Sequence, residues 1–281
     1  MSKFNHIVLQ SDFGLSDGAV SAMEGVIVSV NPDITIHHLT HDIPPYDTYL
    51  ASYRLYQAFS YWPKETVFAS IVDPGVGFGQ LSLAVKLKTG HIILTPNNGS
   101  ISHLYEKVGI ESAYEIDKEK NLLNKDNHSY TFFGRDLYAY TAARLVSDLV
   151  TIESLGDPLH IEKLVRFGVG EVKTTASSIE GIVDIHDVRY GSLWSNIPFD
   201  LLRDVFGGDR HVSLEIYCDN QVYFSQTVII GKSFQDVSKN EPLIYCNSLQ
   251  KVGIALNQNS FAKAFQIGYG SDWRIVIQKK H

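Results

Sequence analysis

Cysteine and methionine are nearly missing from this chain of 281 residues, which holds two of each. Cys218 and Cys246 are too few for a disulfide scaffold. They fit a reducing compartment and are expected as small buried hydrophobes. No apolar run approaches the ~18 residues that span a bilayer as a helix, which excludes an integral helical membrane protein. Met1 to Gln10 lack the basic region and long apolar stretch of a secretory signal, so a cytoplasmic location is expected. Positive charge is also scarce: 24 Lys+Arg face 31 Asp+Glu, for a formal net charge of −7. A protein that tracks phosphate backbones normally needs the opposite sign, at least locally, so no nucleic-acid partner is expected. A small ligand, neutral or cationic, suits this balance better. What the chain does have is 44% hydrophobic residues and 32 aromatics against 20% charged residues. That is enough apolar surface to exclude disorder. The length fits one large domain or two ordinary ones at ~150 residues each.

Hydrophobic periodicity divides the chain in two. Residues 1–166 read as alternating strand and helix. Short apolar strands are predicted at His6–Gln10, Ile34–Leu39 and Val67–Val72, and a hairpin at Ser82–Lys88 and His91–Leu94 around Thr89-Gly90. Helices are predicted at Gly18–Val30, Thr48–Phe59, Ser100–Val108 and Arg135–Val146. Such alternation predicts an α/β domain with a mainly parallel sheet and helices on both faces. Residues 167–178 are rich in Gly, Thr and Ser and read as a linker. Residues 179–281 hold short β-like runs separated by turn residues, which predicts a smaller antiparallel β domain. No internal repeat or low-complexity tract is present.

In an open α/β sheet, ligands bind beyond the carboxyl ends of the strands. Three predicted strands end in polar, turn-forming sequence: Ser11-Asp12-Phe13-Gly14 with Asp17 close by, Asp73-Pro74-Gly75-Val76-Gly77, and Thr95-Pro96-Asn97-Asn98-Gly99. A carboxylate can accept two hydroxyl hydrogen bonds from a ribose diol, face a cation, or deprotonate a water. Alone, Asp12 would cap a helix and Asp73 would open a turn. Three such ends together favour a site. Phe132-Phe133-Gly134-Arg135-Asp136 opens a helix, and its glycine permits close approach of a ligand or simply close packing. Asp187 to Asn196 places Tyr190 and Trp194 among Asp187, Ser192 and Asn196. An aromatic beside amides and carboxylates suits a flat purine. Phe234 and Tyr245-Cys246-Asn247-Ser248 could add contacts.

Other patterns exclude chemistries. Gly75-Val76-Gly77-Phe78-Gly79 has no following Gly-Lys-Ser/Thr, so it is no P-loop, and Gly14 to Gly18 lacks the dinucleotide fingerprint. His37 and His38 point to opposite faces of a strand and cannot readily share one ion. No metal and no cofactor are expected.

In order along nearly the whole chain, these stretches resemble one family, the S-adenosylmethionine hydroxide adenosyltransferases, relatives of fluorinases and chlorinases. The matching segments are Ser11 to Gly14 with Asp17, Thr40-His41-Asp42-Ile43-Pro44, Val72 to Gly77, Pro96 to Gly99, Thr131 to Asp136, Asp187 to Asn196, and Asn247-Ser248. The resemblance implies an α/β domain joined to a β domain. It also implies a homotrimer with an adenosyl ligand held between subunits. It would place Asp12 on the ribose hydroxyls and Tyr46 near the ribose. Asp17 and Ser248 would lie near the methionine end, Tyr190 and Phe234 around adenine, and Asp187 and Trp194 beside it. Family hydrolases position the attacking water with an Asp-Arg-His set. Here Asp73 matches the aspartate, while Gln80 and Phe133 stand where the arginine and histidine are expected, and Ser192 replaces an asparagine.

The expectation is therefore an S-adenosylmethionine hydrolase giving adenosine and methionine, weakened at its chemical step. The alternatives are an adenosyl-ligand-binding protein with little catalysis and, third, a halogenase. A carboxylate at position 73 would repel a buried halide, which counts against the last.

Overall fold

The computed structural model describes residues 5–75, 79–123 and 131–280. The expected loop residues Val76, Gly77 and Phe78, and Met1 to Phe4 of the amino-terminal stretch, lie outside them. The chain divides into two compact units, Met1–Phe167 and Gly168–His281.

The first unit is a three-layer α/β structure. Strands β1 (His6–Ser11), β2 (Thr35–Thr40), β3 (Val67–Ile71), β4 (Ser82–Leu87), β5 (Ile92–Pro96) and β6 (Ile110–Glu115) form one sheet in the order β2-β1-β3-β5-β4-β6. The pairings β1–β2, β1–β3 and β3–β5 are parallel, and β4 runs antiparallel to β5 and β6. Side chains alternate across this sheet with period two. Ile7 and Leu9 of β1 and Val67, Ala69 and Ile71 of β3 enter one apolar layer. Val8 and Phe68 enter the other.

Helices cover both faces because their apolar residues recur every three or four positions. Helix α1 (Ala19–Val30) buries Val20, Met23 and Ile27. Met23 and Ile27 join the first layer together with Leu137 and Tyr138, which belong to a π-helical segment, Gly134–Ala139. That segment leads into α5 (Tyr140–Val146). Helix α2 (Thr48–Ala58) and α3 (Ser102–Lys107) pack Leu55 and Leu104 into the second layer. Asp47 caps α2 by accepting the Leu50 N–H at 2.8 Å, a contact typically worth ~1 kcal/mol. A single turn, α4 (Lys118–Asn121), follows β6.

The second unit is a barrel-like β domain. Its strands are β7 (Lys173–Thr174), β8 (Ser178–His186), β9 (Leu193–Pro198), β10 (His211–Cys218), β11 (Gln221–Ile230), β12 (Pro242–Cys246), β13 (Lys251–Leu256) and β14 (Trp273–Lys279). Their order is β14-β10-β11-β12-β13-β9-β8-β7, and an additional β14–β8 pairing closes the sheet on itself. Only β11–β12 is parallel among these pairings. Inward residues such as Val183, Leu193, Leu214, Ile216, Ile254 and Ile275 build the second core. Helices α6 (Asp200–Phe206) and α7 (Phe261–Phe265) add Leu202, Phe206 and Phe261 to it.

The cysteines correct the sequence expectation. Cys218 is half-buried and Cys246 is exposed. Each is the last residue of its strand, where the chain leaves the core, so apolar character did not carry it inward.

Candidate active site

Sheet order brings the predicted strand ends together. Strands β1, β3 and β5 are neighbours and parallel, so Asp12, Asp73 and Asn98 emerge side by side at one edge. Asp12 is the hub. Its Oδ2 accepts the backbone N–H of Asp73 at 3.3 Å and that of Tyr46 at 3.5 Å. Both donors sit in the left-handed backbone region, Asp73 at φ 45° and Tyr46 at φ 69°. That conformation is unfavourable for non-glycine residues and clusters at functional sites.

Asn98 holds the Asp73 loop. Its amide donates to the carbonyls of Val72 and Asp73, both at 2.9 Å, while its oxygen accepts from the Ser100 hydroxyl at 2.6 Å. It is therefore a clamp rather than an open ligand group. Asn97 turns elsewhere: it accepts the Val165 N–H at 2.8 Å and donates to the Lys163 carbonyl at 3.3 Å. Asp17 is exposed and accepts the Ala19 N–H at 2.9 Å, at the start of α1. The ring of Tyr46 is 76% exposed, which leaves its face open to a ligand. Gln80 lies against Gly75, and Phe133 is buried beneath the Lys118 ammonium, 5.0 Å from its ring centre.

A polar chain runs behind this edge. Glu24 on α1 lies 2.9 Å from His38 Nε2, His38 Nδ1 lies 2.8 Å from His41 Nε2, and His41 Nδ1 lies 2.6 Å from the Ser11 hydroxyl. One proton arrangement satisfies every link: Ser11 donates to His41, His41 to His38, and His38 to the carboxylate. Burial, and then the nearby His38, hold His41 down at about 4. The His41 carbonyl accepts the Gly14 N–H at 2.8 Å, so this chain also anchors the loop after Asp12. His37 turns away, to His6 at 3.0 Å and to the Trp62 ring. Among the described residues no cluster of three or more His, Cys, Asp or Glu could hold a metal ion.

The second unit carries a cavity of about 690 Å³. Asp187, Tyr190, Ser192, Trp194, Phe234 and Ser248 all line it. The Asp187 carboxylate accepts the N–H groups of Arg189 at 3.1 Å and Tyr190 at 3.3 Å, which shapes the turn bearing Tyr190. Tyr190 is 74% exposed and Phe234 41%, so both present ring faces. Trp194 donates its indole N–H to the Tyr245 hydroxyl at 3.0 Å, and the Tyr245 ring stands 5.2 Å from Phe234. Burial pushes the Tyr245 hydroxyl up.

Asn196 does not line this cavity. It is buried and accepts the Ile182 N–H at 2.9 Å. Between Trp194 and Pro198, β9 takes four residue steps while β13 takes two, from Gly253 to Lys251. That bulge ends the simple alternation that would have grouped Asn196 with Trp194. Asn247 emerges instead. It lines the cavity, its oxygen accepts the Leu249 and Lys251 N–H groups, and its buried Nδ2 has no partner among the described residues. Its place in the Asn247-Ser248 pair was visible in the sequence. Its free donor needed the fold.

Residues 7–156 match the SAM hydroxide adenosyltransferase N-terminal domain and residues 181–274 match the C-terminal domain of the same name. The chain belongs to the SAM hydroxide adenosyltransferase family. Among the relatives of this family member is an (R)-S-adenosyl-L-methionine hydrolase of Methanocaldococcus jannaschii. It is 31% identical over 198 residues, covering 69% of this chain and 67% of the relative. A fluorinase of an Actinoplanes species is 24% identical and covers 94% of this chain and 95% of its own length. An uncharacterized conserved protein from Thermotoga maritima shares the fold with a TM-score of 0.85 at 28% identity. It covers 97% of this family member and 100% of that chain.

Proposed function

We propose that the protein hydrolyses S-adenosyl-L-methionine to adenosine and methionine. The observation that carries this is the Asp12–Asp73 pair, joined through a backbone hydrogen bond at the carboxyl edge of a parallel sheet. The hydrolase name of the M. jannaschii relative supports the same reaction. In it, a water oxygen forms the bond to C5′ while the C5′–S bond breaks. The electron pair goes to sulfur and converts the sulfonium into neutral methionine. A neutral thioether needs no general acid, so the protein must supply an aligned, partly desolvated water and a base. Asp73 is the base in this scheme and takes the water proton. Asp12 holds the ribose hydroxyls, with Tyr46 above the sugar. Asp17 and Ser248 meet the methionine end. Tyr190, Phe234, Trp194, Asp187 and Ser192 receive adenine. Gln80 and Phe133 shape the wall beside the reacting carbon. Binding groups are thus richer than catalytic ones, and slow turnover is part of the proposal.

We further infer a homotrimer with the ligand held between subunits, which the family resemblance supports, and a cytoplasmic location, which the scarcity of cysteine supports. In the described residues no helix is long and apolar enough to cross a membrane. Product analysis after incubation with S-adenosyl-L-methionine, with and without chloride or fluoride, tests the activity. Adenosine and methionine in equal amounts are expected, independent of halide. A halogenated nucleoside would reverse the assignment, and unchanged substrate with measurable binding would leave a binding protein.

A further inference from the structure

A closed chain of contacts runs through Asp12 and Asp73 of the first unit, and Lys118 is one link in it. Asp73 donates its N–H to Asp12 at 3.3 Å. Two residues on, Gly75 has φ +57°, and a Cβ there would collide with the Gln80 side chain. The Gln80 backbone carbonyl accepts from the Lys118 ammonium at 3.1 Å. The same ammonium stands 5.0 Å from the Phe133 ring centre. Phe133 precedes Gly134, where a Cβ would meet the Phe13 ring at 2.8 Å. Phe13 follows Asp12, and the ring closes.

We propose that Lys118 is a positioning residue for adenosyl transfer, the cation that balances Asp73 and the attacking oxygen on the nucleophile side. This rests on the hydrolase function proposed above. A carboxylate at Asp73, with the Asp12 carboxylate bonded to its backbone, disfavours further negative charge on an oxygen beside it. An ammonium held against an aromatic face is partly desolvated, and its field there is stronger than in water. Among the described residues, neighbouring carboxylates form no ion pair with it. Asp117 pairs with Lys120 at 2.7 Å, Asp136 pairs with Arg135 at 2.6 Å, and Glu119 is exposed. Among the described residues, Lys118 meets the backbone carbonyl of Gln80 and the ring of Phe133. These positions lack the charge that the sequence resemblance leads one to expect, and a lysine from a separate element, α4, reaches both.

The test compares wild type with Lys118→Met, Lys118→Gln and Lys118→Arg for adenosine release across the active pH range. Lys118→Met is expected to lower kcat about 10–100-fold with KM changed less than about threefold, as for loss of a preorganised charge felt mainly in the transition state. The acid limb of kcat/KM should move to higher pH, and Lys118→Arg should restore most of the rate. In an Asp73→Asn background, Lys118→Met should add little, because the two act together. Should Lys118→Met fail to fold, Lys118→Gln against Lys118→Arg gives the same comparison. Unchanged kcat and pH profile, or losses confined to KM or thermal stability, would overturn the assignment of Lys118 alone. No adenosine release by wild type would overturn the hydrolase function and this proposal with it.

Discussion

Asp73 bears the greatest demand of any single residue. Asp73→Asn should lower adenosine release by ~10²–10⁴-fold, the usual range for general-base assistance, in a single-turnover assay. Nucleoside binding should persist, since Asp12 and the aromatic side chains remain. Gly75 makes a second residue-scale test. At φ +57°, with the Gln80 side chain where a Cβ would stand, Gly75→Ala is both strained and crowded. It should lower kcat by displacing Gln80, and should lower the melting temperature slightly in calorimetry. Asn247 offers the converse case, a buried donor in the cavity wall with no partner among the described residues. Asn247→Ala should weaken nucleoside binding by about tenfold in titration calorimetry, which corresponds to one neutral hydrogen bond.

At the scale of elements, the Glu24–His38–His41–Ser11 chain ties α1, β2 and β1 together behind the site. Its pH response follows from His41. Burial lowers this histidine from its ordinary value of 6.5 to about 4. Between those values the unfolded chain binds a proton that the folded protein refuses. Stability is therefore full above about pH 6.5 and falls as pH drops toward 4, by at most about 3 kcal/mol. Urea unfolding of wild type and His41→Asn across this window should show the difference between them narrowing as pH falls. A constant difference would show that His41 does not titrate with folding. Element types were legible where periodicity is strong: β1, β3, the β4–β5 hairpin, α1 and α2. Strand β9 was not, because Trp194 to Asn196 looks like a polar binding loop in sequence. Pairing with β8 and β13 makes it a strand.

For the whole molecule, ligand linkage is the most direct readout. A ligand that binds only the folded state at 100 times its Kd stabilises by ~2.7 kcal/mol. Adenosine or S-adenosyl-L-methionine should therefore raise the melting temperature by several degrees, and Asp12→Ala should reduce that rise. The proposed homotrimer should appear in sedimentation velocity as a single species of three chains. A stable monomer that binds ligand at full affinity would contradict it.

Local pattern alone determined the two-part division of the chain, the strand-end positions of Asp12, Asp73 and Asn98, and the family. These depend on period-two and period-3.6 hydrophobicity and on short ordered motifs, all written within a few residues of one another. Tertiary structure decided which polar groups remain open. Asn97 and Asn98 read alike, yet one is tied to Lys163 and Val165 while the other clamps Asp73, because their partners lie far away in sequence. Asn196 is drawn inside by a bulge while Asn247 faces the cavity, and each keeps a buried Nδ2 with no partner among the described residues. Lys118 carried no signal at all in the sequence. It stands 45 positions beyond Asp73, and only the packing of α4 against the Gln80 and Phe133 positions brings its charge to them.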